Sequence, residues 1–198
     1  MYQVRTDLAL EAREKFEDDH VEVKGVIVKQ EHVKGNMTVT KVVIETENGA
    51  KAMGKPKGNY VTLEAPDMAD SDEDYHREIS MQLAKILKEL IPIEKKELSV
   101  LVVGLGNREV TPDALGPRVV DNMMITRHII RQFGKYAFGL KNNHQISSIV
   151  PGVMAQTGME TLEIIKGVLE ETTPDYIIAV DALAARSTKR LNRTIQIT

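Results

Sequence analysis

From Leu98 to the end of the chain, short segments typical of strands alternate with amphipathic segments that have helical spacing. The strand segments are LSVLVVG at 98–104, which is a continuous apolar run, QISSIVPG at 145–152, DYIIAVD at 175–181 and NRTIQIT at 192–198. Between them, we expect one helix over 116–134 and a second that opens with Thr157 and Glu160 as a capping box. Strand–helix–strand repetition predicts an α/β fold with a largely parallel central sheet and helices on both faces.

The region before this core differs in composition, because β-branched residues dominate three segments between residues 21 and 65. It predicts a β-rich N-terminal lobe, followed by an acidic loop and a helix over 76–90 that ends before Pro92. We therefore expect a lobe with its helix at 8–95 and an α/β catalytic core at 96–198. The strand pattern stops in mid-sheet, so we expect the chain to be part of a longer gene product.

Composition narrows the possible functions. The net charge of −3 argues against nonspecific electrostatic binding to nucleic acid. Cysteine is absent, so disulfides, a thiol nucleophile and thiolate metal sites are excluded. No apolar run is long enough to span a bilayer, and the five histidines have no ligand spacing. We expect a soluble cytoplasmic protein without a metal or another cofactor.

Two aspartates follow predicted strands of the parallel sheet. Asp113 lies in the loop after the first strand, and Asp181 ends the third. Ligands bind at the carboxyl edge of such sheets, where adjacent strands lie about 4.8 Å apart. Two close carboxylates share a proton, so one can act as a general acid while the other activates water. Alternatively, each aspartate only caps a helix or binds loop amides.

The segment GLGN at 104–107 resembles part of a phosphate-binding loop. Glu109 stands where a dinucleotide fingerprint needs its third glycine, so we expect these glycines to make room for the nearby acid. A non-catalytic module that binds a nucleotide or another small anion remains an alternative. The last loop contains four basic residues, which form either a solvated face or a rim for an acidic substrate: Arg186, Lys189, Arg190 and Arg193.

Four segments closely resemble the germination protease of spore-forming bacteria: VRTDLALEA, VGLGNREVTPDALGP, PGVMAQTGMET and DYIIAVDALAARS. The resemblance runs in order along the whole chain. It implies an endopeptidase that degrades small acid-soluble spore proteins in the spore core. It also implies a homotetramer, with no direct contact to nucleic acid or membrane. The two proposed catalytic aspartates of the family fall on Asp113 and Asp181.

The resemblance further implies a zymogen that removes its own propeptide, here residues 1–7, by cleaving between Asp7 and Leu8. Alternatively, or at the same time, this segment is an amphipathic helix with Asp7 at its N-cap. The fold also resembles that of hydrogenase maturation endopeptidases, in which acids of equivalent loops bind a metal. A metal-assisted endopeptidase is therefore a second interpretation, and a catalytically silent fragment is a third.

Overall fold

The computed structural model describes residues 6–12, 23–70, 72–91, 97–134 and 144–198. The chain divides into two compact units. The first unit combines Met1–Ile91 with Leu183–Thr198, and the second unit is Pro92–Ala182. The C-terminal residues thus group with the N-terminal lobe, whereas the sequence pattern suggested the α/β core.

The described part of the chain contains seven strands and six helices, besides one helical turn at 9–12. The strands are β1 (Val26–Val33), β2 (Met37–Ile44), β3 (Gly58–Glu64), β4 (Ser99–Gly104), β5 (Gln145–Ile149), β6 (Tyr176–Val180) and β7 (Thr194–Ile197). The helices are α1 (Glu47–Met53), α2 (Glu73–Leu90), α3 (Leu115–Asp121), α4 (Arg127–Phe133), α5 (Met154–Thr157) and α6 (Thr161–Thr172). Short 3₁₀ turns lie at Thr111–Asp113 and Thr188–Arg190. None of the described helices is long and apolar enough to cross a membrane.

The first unit is built on an antiparallel sheet with the order β1-β2-β3-β7. The β-rich lobe predicted from the sequence is confirmed, although the start of its first predicted strand lies outside the described residues. β1 and β2 form a hairpin that turns through Gly35 and Asn36, both with positive φ. The segment NGAKAMGKPKGN at 48–59 has the composition of a turn, but its first residues belong to helix α1, because the Thr46 hydroxyl accepts the Gly49 N–H and caps the first turn.

The two faces of this sheet pack against different partners. One face forms an apolar core with α2, made of Met37, Val39, Val61, Leu63, Ala65, Ile79 and Ile86. The other face packs with the N-terminal segment and α1, through Ala9, Val42, Ile44, Met53 and Tyr60. The helix predicted over 76–90 is therefore confirmed, and Ile79 and Ile86 lie on its packing face.

Helix α2 begins earlier than the sequence predicted. The acidic run before it was expected to be a loop, but Asp72 caps the helix by accepting the Tyr75 N–H at 3.1 Å. Glu73 and Asp74 then occupy the first turn, where negative charge is favourable against the helix dipole. Part of the acidic run is therefore a helix start.

The fourth strand predicted for the parallel sheet, at 192–198, lies elsewhere. β7 pairs antiparallel with β3 of the first unit, with Leu63 opposite Ile195. In this position Ile195 and Ile197 pack on the apolar core beneath α2. The pattern of side chains predicted a strand correctly, but the identity of its neighbour depended on residues far away in the chain.

The second unit contains a parallel sheet with the order β5-β4-β6, as the strand–helix alternation predicted. The central strand β4 is the most buried, with Leu101, Val102 and Val103 almost without exposed surface. α3 contacts β4 and β6, and α4 contacts β5. The structure thus contains two sheets of different type, and a covering of helices on both faces of the parallel one stays a prediction.

Two helices of the second unit differ from expectation. The single helix predicted over 116–134 is broken into α3 and α4, because Thr126 bonds to β5: its N–H donates to Ile146 O, and its hydroxyl accepts the Ile146 N–H. The predicted capping box of Thr157 and Glu160 is shifted by three residues. Glu160 caps α6, and its N–H donates to the Glu163 carboxylate at 2.9 Å.

Candidate functional site at the carboxyl edge of the parallel sheet

Asp113 and Asp181 both belong to the second unit and lie at the carboxyl edge of its sheet. β4 and β6 are hydrogen-bonded neighbours, and the Leu105 N–H extends their pairing by donating to Val180 O at 2.8 Å. Asp181 is the next residue after that carbonyl, while Asp113 ends the 3₁₀ turn in the loop after β4. The loops that carry the two acids therefore leave adjacent strand ends.

A tight turn in the loop after β4 holds Asp113. The backbone N–H of Asn107 donates to both the carboxylate Oδ2 of Asp113, at 2.8 Å, and its carbonyl oxygen, at 3.1 Å. Gly106 has φ 113°, and a Cβ there would lie 2.1 Å from Asp113 O. As expected, the glycine makes room for the acid. The Asn107 N–H is consequently occupied by a carboxylate, which weakens the interpretation of GLGN as an anion-binding loop.

Asp181 has a more open environment. Its side chain is exposed, and its Oδ1 accepts the N–H of the adjacent Ala182 at 2.8 Å. Asp113, by contrast, is only partly exposed. Within the part of the chain that the structure describes, the second carboxylate oxygen of each aspartate has no hydrogen-bond partner. Each acid is thus held by one oxygen and keeps the other for a proton or a water molecule.

The two loops meet at Gly116 in the first turn of α3. A Cβ on Gly116 would lie 2.3 Å from Leu105 O and 2.4 Å from Val180 O, so only glycine fits between the two strand ends. Gly116 is three residues after Asp113, and Val180 directly precedes Asp181. This close backbone contact brings the two acid-bearing segments together at one point of the sheet edge.

A third loop reaches this edge from β5. Gln156 in α5 donates its side-chain N–H to Asn107 Oδ1 at 3.3 Å. Asn107 and Gln156 lie in the segments that follow β4 and β5, and the sequence analysis did not identify either residue. Their polar side chains in loops at a strand edge were the only available signal.

The predicted processing bond, between Asp7 and Leu8, lies in the first unit and is tightly bound there. The Asp7 N–H donates to Ala184 O at 2.9 Å, and its carboxylate accepts the Ala184 N–H at 3.0 Å. The Asp7 carbonyl accepts bonds from Lys55 Nζ at 2.8 Å and Gln196 Nε2 at 2.9 Å. Leu8 is 0% exposed. The remainder of the predicted propeptide, residues 1–5, lies outside the described residues.

Glu11 forms a buried ionic network that the sequence analysis missed. Its carboxylate accepts the amide N–H groups of Arg186 and Ser187, at 2.8 and 3.0 Å, and lies 3.4 Å from Arg190 Nη1. Arg190 Nε also donates to Glu64 at 2.8 Å. Arg190 is therefore part of an internal network, whereas the sequence suggested either a solvated face or a rim for an acidic substrate.

Burial by itself would raise the pKa of the Glu11 carboxyl. Hydrogen bonds from the Thr6 hydroxyl, the Ser187 and Arg186 amides and the Arg190 guanidinium outweigh burial, so the pKa lies below its ordinary value. Glu11 is ionised in the folded protein at neutral pH and binds the last loop to the N-terminal segment.

Across residues 6–12, 23–70, 72–91, 97–134 and 144–198, no group of three or more histidine, aspartate or glutamate side chains is arranged to hold a metal ion. The acid-bearing loops offer the carboxylates of Asp113, Asp181 and Glu109, together with several amides. This set of groups can bind a water molecule and exchange protons with it.

Comparison with known proteins gives one consistent result. Residues 4–198 match the sequence model of a family described as germination protease. The germination protease of Caldanaerobacter subterraneus subsp. tengcongensis is 48% identical, over 98% of this chain and 58% of that protein. The corresponding values are 46%, 99% and 54% for Bacillus cytotoxicus, and 47%, 98% and 59% for Clostridium tetani. The chain thus spans somewhat more than half the length of these relatives.

Proposed function

Because the chain belongs to the germination protease family, we propose that the protein in which it occurs is an endopeptidase that cleaves small acid-soluble spore proteins during germination. Its catalytic groups are Asp113 and Asp181. The observation that carries this assignment is the contact at Gly116, which brings the two acid-bearing loops together at one sheet edge. Family membership supports the substrate, a homotetrameric assembly and a location in the spore core.

Hydrolysis by a carboxylate pair follows from ordinary acid–base chemistry. Two carboxyl groups that share one proton titrate as a pair, so one is ionised while the other is protonated. The ionised carboxylate takes a proton from water as the water oxygen attacks the scissile carbonyl carbon. The protonated carboxyl gives its proton to the carbonyl oxygen. The first carboxyl then gives the proton that it took from water to the amide nitrogen, and a hydroxyl of the tetrahedral intermediate returns a proton to the other carboxylate. The C–N bond breaks as the carbonyl re-forms, and the pair again holds one proton.

We predict that Asp113→Asn and Asp181→Asn each lower kcat for a spore-protein substrate by about 10²–10⁴-fold, the usual range for loss of a general acid or base. Asp175→Asn is a matched control, because Asp175 lies at the opposite, amino end of β6 and binds the Ser99 N–H. The assay uses the protein as produced from its natural gene. Full activity of either Asp113→Asn or Asp181→Asn contradicts catalysis by the carboxylate pair.

The same assay separates the pair from the metal-assisted alternative. A carboxylate pair that acts on water needs no metal, so we expect activity to persist after treatment with a chelator. Activity that the chelator abolishes and an added divalent cation restores supports the metal-assisted interpretation instead. Both outcomes can be compared directly with Asp113→Asn in the same buffer.

Self-processing between Asp7 and Leu8 is the second part of the proposed function. An acidic residue followed by an apolar one matches the kind of bond that the family resemblance implies for the substrates. Leu8 is fully buried, so the segment must leave its position in the first unit before any protease can bind this bond. Processing is therefore coupled to local opening.

A further inference from the structure

The orientation of Asp113 depends on a single amide. The Asn107 N–H is shared between the Asp113 carboxylate and the Asp113 carbonyl, so the direction of this N–H determines how the carboxylate is held. Any group that fixes the backbone of Asn107 therefore acts on Asp113.

The side chain of Asn107 fixes that backbone. Its Oδ1 accepts the Glu109 N–H at 3.0 Å, and the Asn107 carbonyl accepts the Val110 N–H at 3.1 Å. The first bond forms an Asx turn, in which a short amide side chain replaces a backbone carbonyl. Residues 107–110 are thereby held in one conformation, with the Asn107 N–H directed at the acid.

Gln156, which follows the end of β5, forms a hydrogen bond to the side chain of Asn107. Its Nε2 donates to Asn107 Oδ1, so this oxygen receives one bond from its own loop and one from the loop after β5. Gln156 is exposed and lies in the short helix α5. Its side chain makes no other hydrogen bond to the described residues, so the bond to Asn107 is its single contact of this kind there.

We propose that Asn107 and Gln156 are positioning residues for Asp113, an inference that rests on the proposed function of Asp113. Gln156 fixes the Asn107 side chain, the Asn107 side chain fixes its turn, and the turn directs an N–H at Asp113 Oδ2. This leaves Asp113 Oδ1 to exchange a proton with the reacting water. The two residues act through Asp113 and do not themselves transfer protons.

The first test is Gln156→Ala in the protein as produced from its natural gene. Loss of one hydrogen bond lowers kcat by about two- to tenfold, while KM changes by less than about twofold, because the change affects a reacting group and not substrate binding. Thermal unfolding shows whether the variant is folded. A rise in KM alone, or kinetics identical to those of the unchanged protein, overturns the role of Gln156.

The second test is Asn107→Asp, which keeps an acceptor oxygen for Glu109 and Gln156 but adds a negative charge beside Asp113. A like charge raises the pKa of a neighbouring carboxyl. The pH profile of kcat/KM therefore moves upward, by roughly half a pH unit or more. A purely structural role lowers activity without moving the profile, and an unmoved profile overturns the role of Asn107.

Two further variants complete the design. Asn122→Ala is the matched control, because Asn122 is an exposed asparagine whose side chain donates to Arg118 O, and the variant retains full activity. Asp113→Asn separates a failure of the proposed catalytic function from a failure of the positioning role alone. If Asp113→Asn is active, the proposed function is wrong. If it is inactive while Gln156→Ala and Asn107→Asp behave as the unchanged protein, only the positioning role is wrong.

Discussion

Among single residues, Glu11 departs most from what its type predicts. Glutamate is almost never fully buried unless it is paired, yet Glu11 has 0% exposed surface. The last loop of the first unit supplies the pairing, through two amide N–H groups and Arg190. Removing one partner of a buried ion pair leaves an uncompensated charge, which costs more than the pair itself contributes.

We predict that Glu11→Gln lowers the free energy of unfolding by about 2–4 kcal/mol at pH 7. The pKa of Glu11 is lowered by folding, so its stabilisation is complete above the ordinary value of about 4.3 and is lost as the pH falls through the folded-state pKa. Urea unfolding of both proteins at pH 7 and pH 3 tests this. The difference between them shrinks at pH 3, and an equal difference at both pH values contradicts the assignment.

Among the secondary structure elements, α3 begins in close backbone contact with the ends of two strands. Gly116 lies against the carbonyl oxygens of Leu105 and Val180, which belong to the ends of two strands. Helices usually pack at 8–10 Å through side chains, whereas this helix start touches backbone. The position of α3, and with it the loop of Asp113, therefore depends on the absence of one side chain.

Two glycines in helices provide a matched pair for testing this contact. Gly116→Ala forces the start of α3 away from the strand ends, and we expect a loss of about 1–3 kcal/mol of stability. Gly167→Ala in α6 meets nothing within 4 Å, so it gains up to about 1 kcal/mol through helix propensity. Thermal unfolding of both variants measures the difference. Equal effects of the two substitutions contradict the close contact.

At the scale of the whole molecule, the first unit is assembled from both ends of the chain. β7 completes the sheet beside β3, and Gln196 of β7 binds the N-terminal segment on both sides of the predicted processing bond. Its Oε1 accepts the Ala9 N–H at 2.8 Å, and its Nε2 donates to Asp7 O. Residues separated by almost the whole chain thus determine whether this bond is accessible.

We predict that Gln196→Ala increases cleavage within residues 6–12 roughly tenfold when an endoprotease that cleaves after acidic residues is added. Loss of two hydrogen bonds raises the fraction of molecules in which this segment is open. Gln30→Ala is the control, since Gln30 is an exposed residue of β1. Intact-mass measurement over time follows the cleavage. This readout does not require the chain's own activity, and equal cleavage of both variants contradicts the role of Gln196.

The sequence by itself determined the features that depend on neighbouring residues. A continuous apolar run predicted β4, and the strand–helix alternation predicted β5 and β6. Helical spacing over 76–90 predicted most of α2, and Gly106 beside an acid predicted a turn shaped around Asp113. The parallel order placed Asp113 and Asp181 on one edge, because parallel strands of a sheet end together. All of these follow from local geometry and period.

Only the tertiary structure decided the features that depend on distant partners. Thr126 ends the helix early because it bonds to β5, β7 joins β3 because Ile195 and Ile197 fit the core beneath α2, and Glu11 is buried because the last loop supplies its donors. Each of these partners is distant in the sequence, so a pattern of neighbouring residues cannot predict it. A residue's type sets which bonds it can form, but the fold sets which partner is close enough to form them.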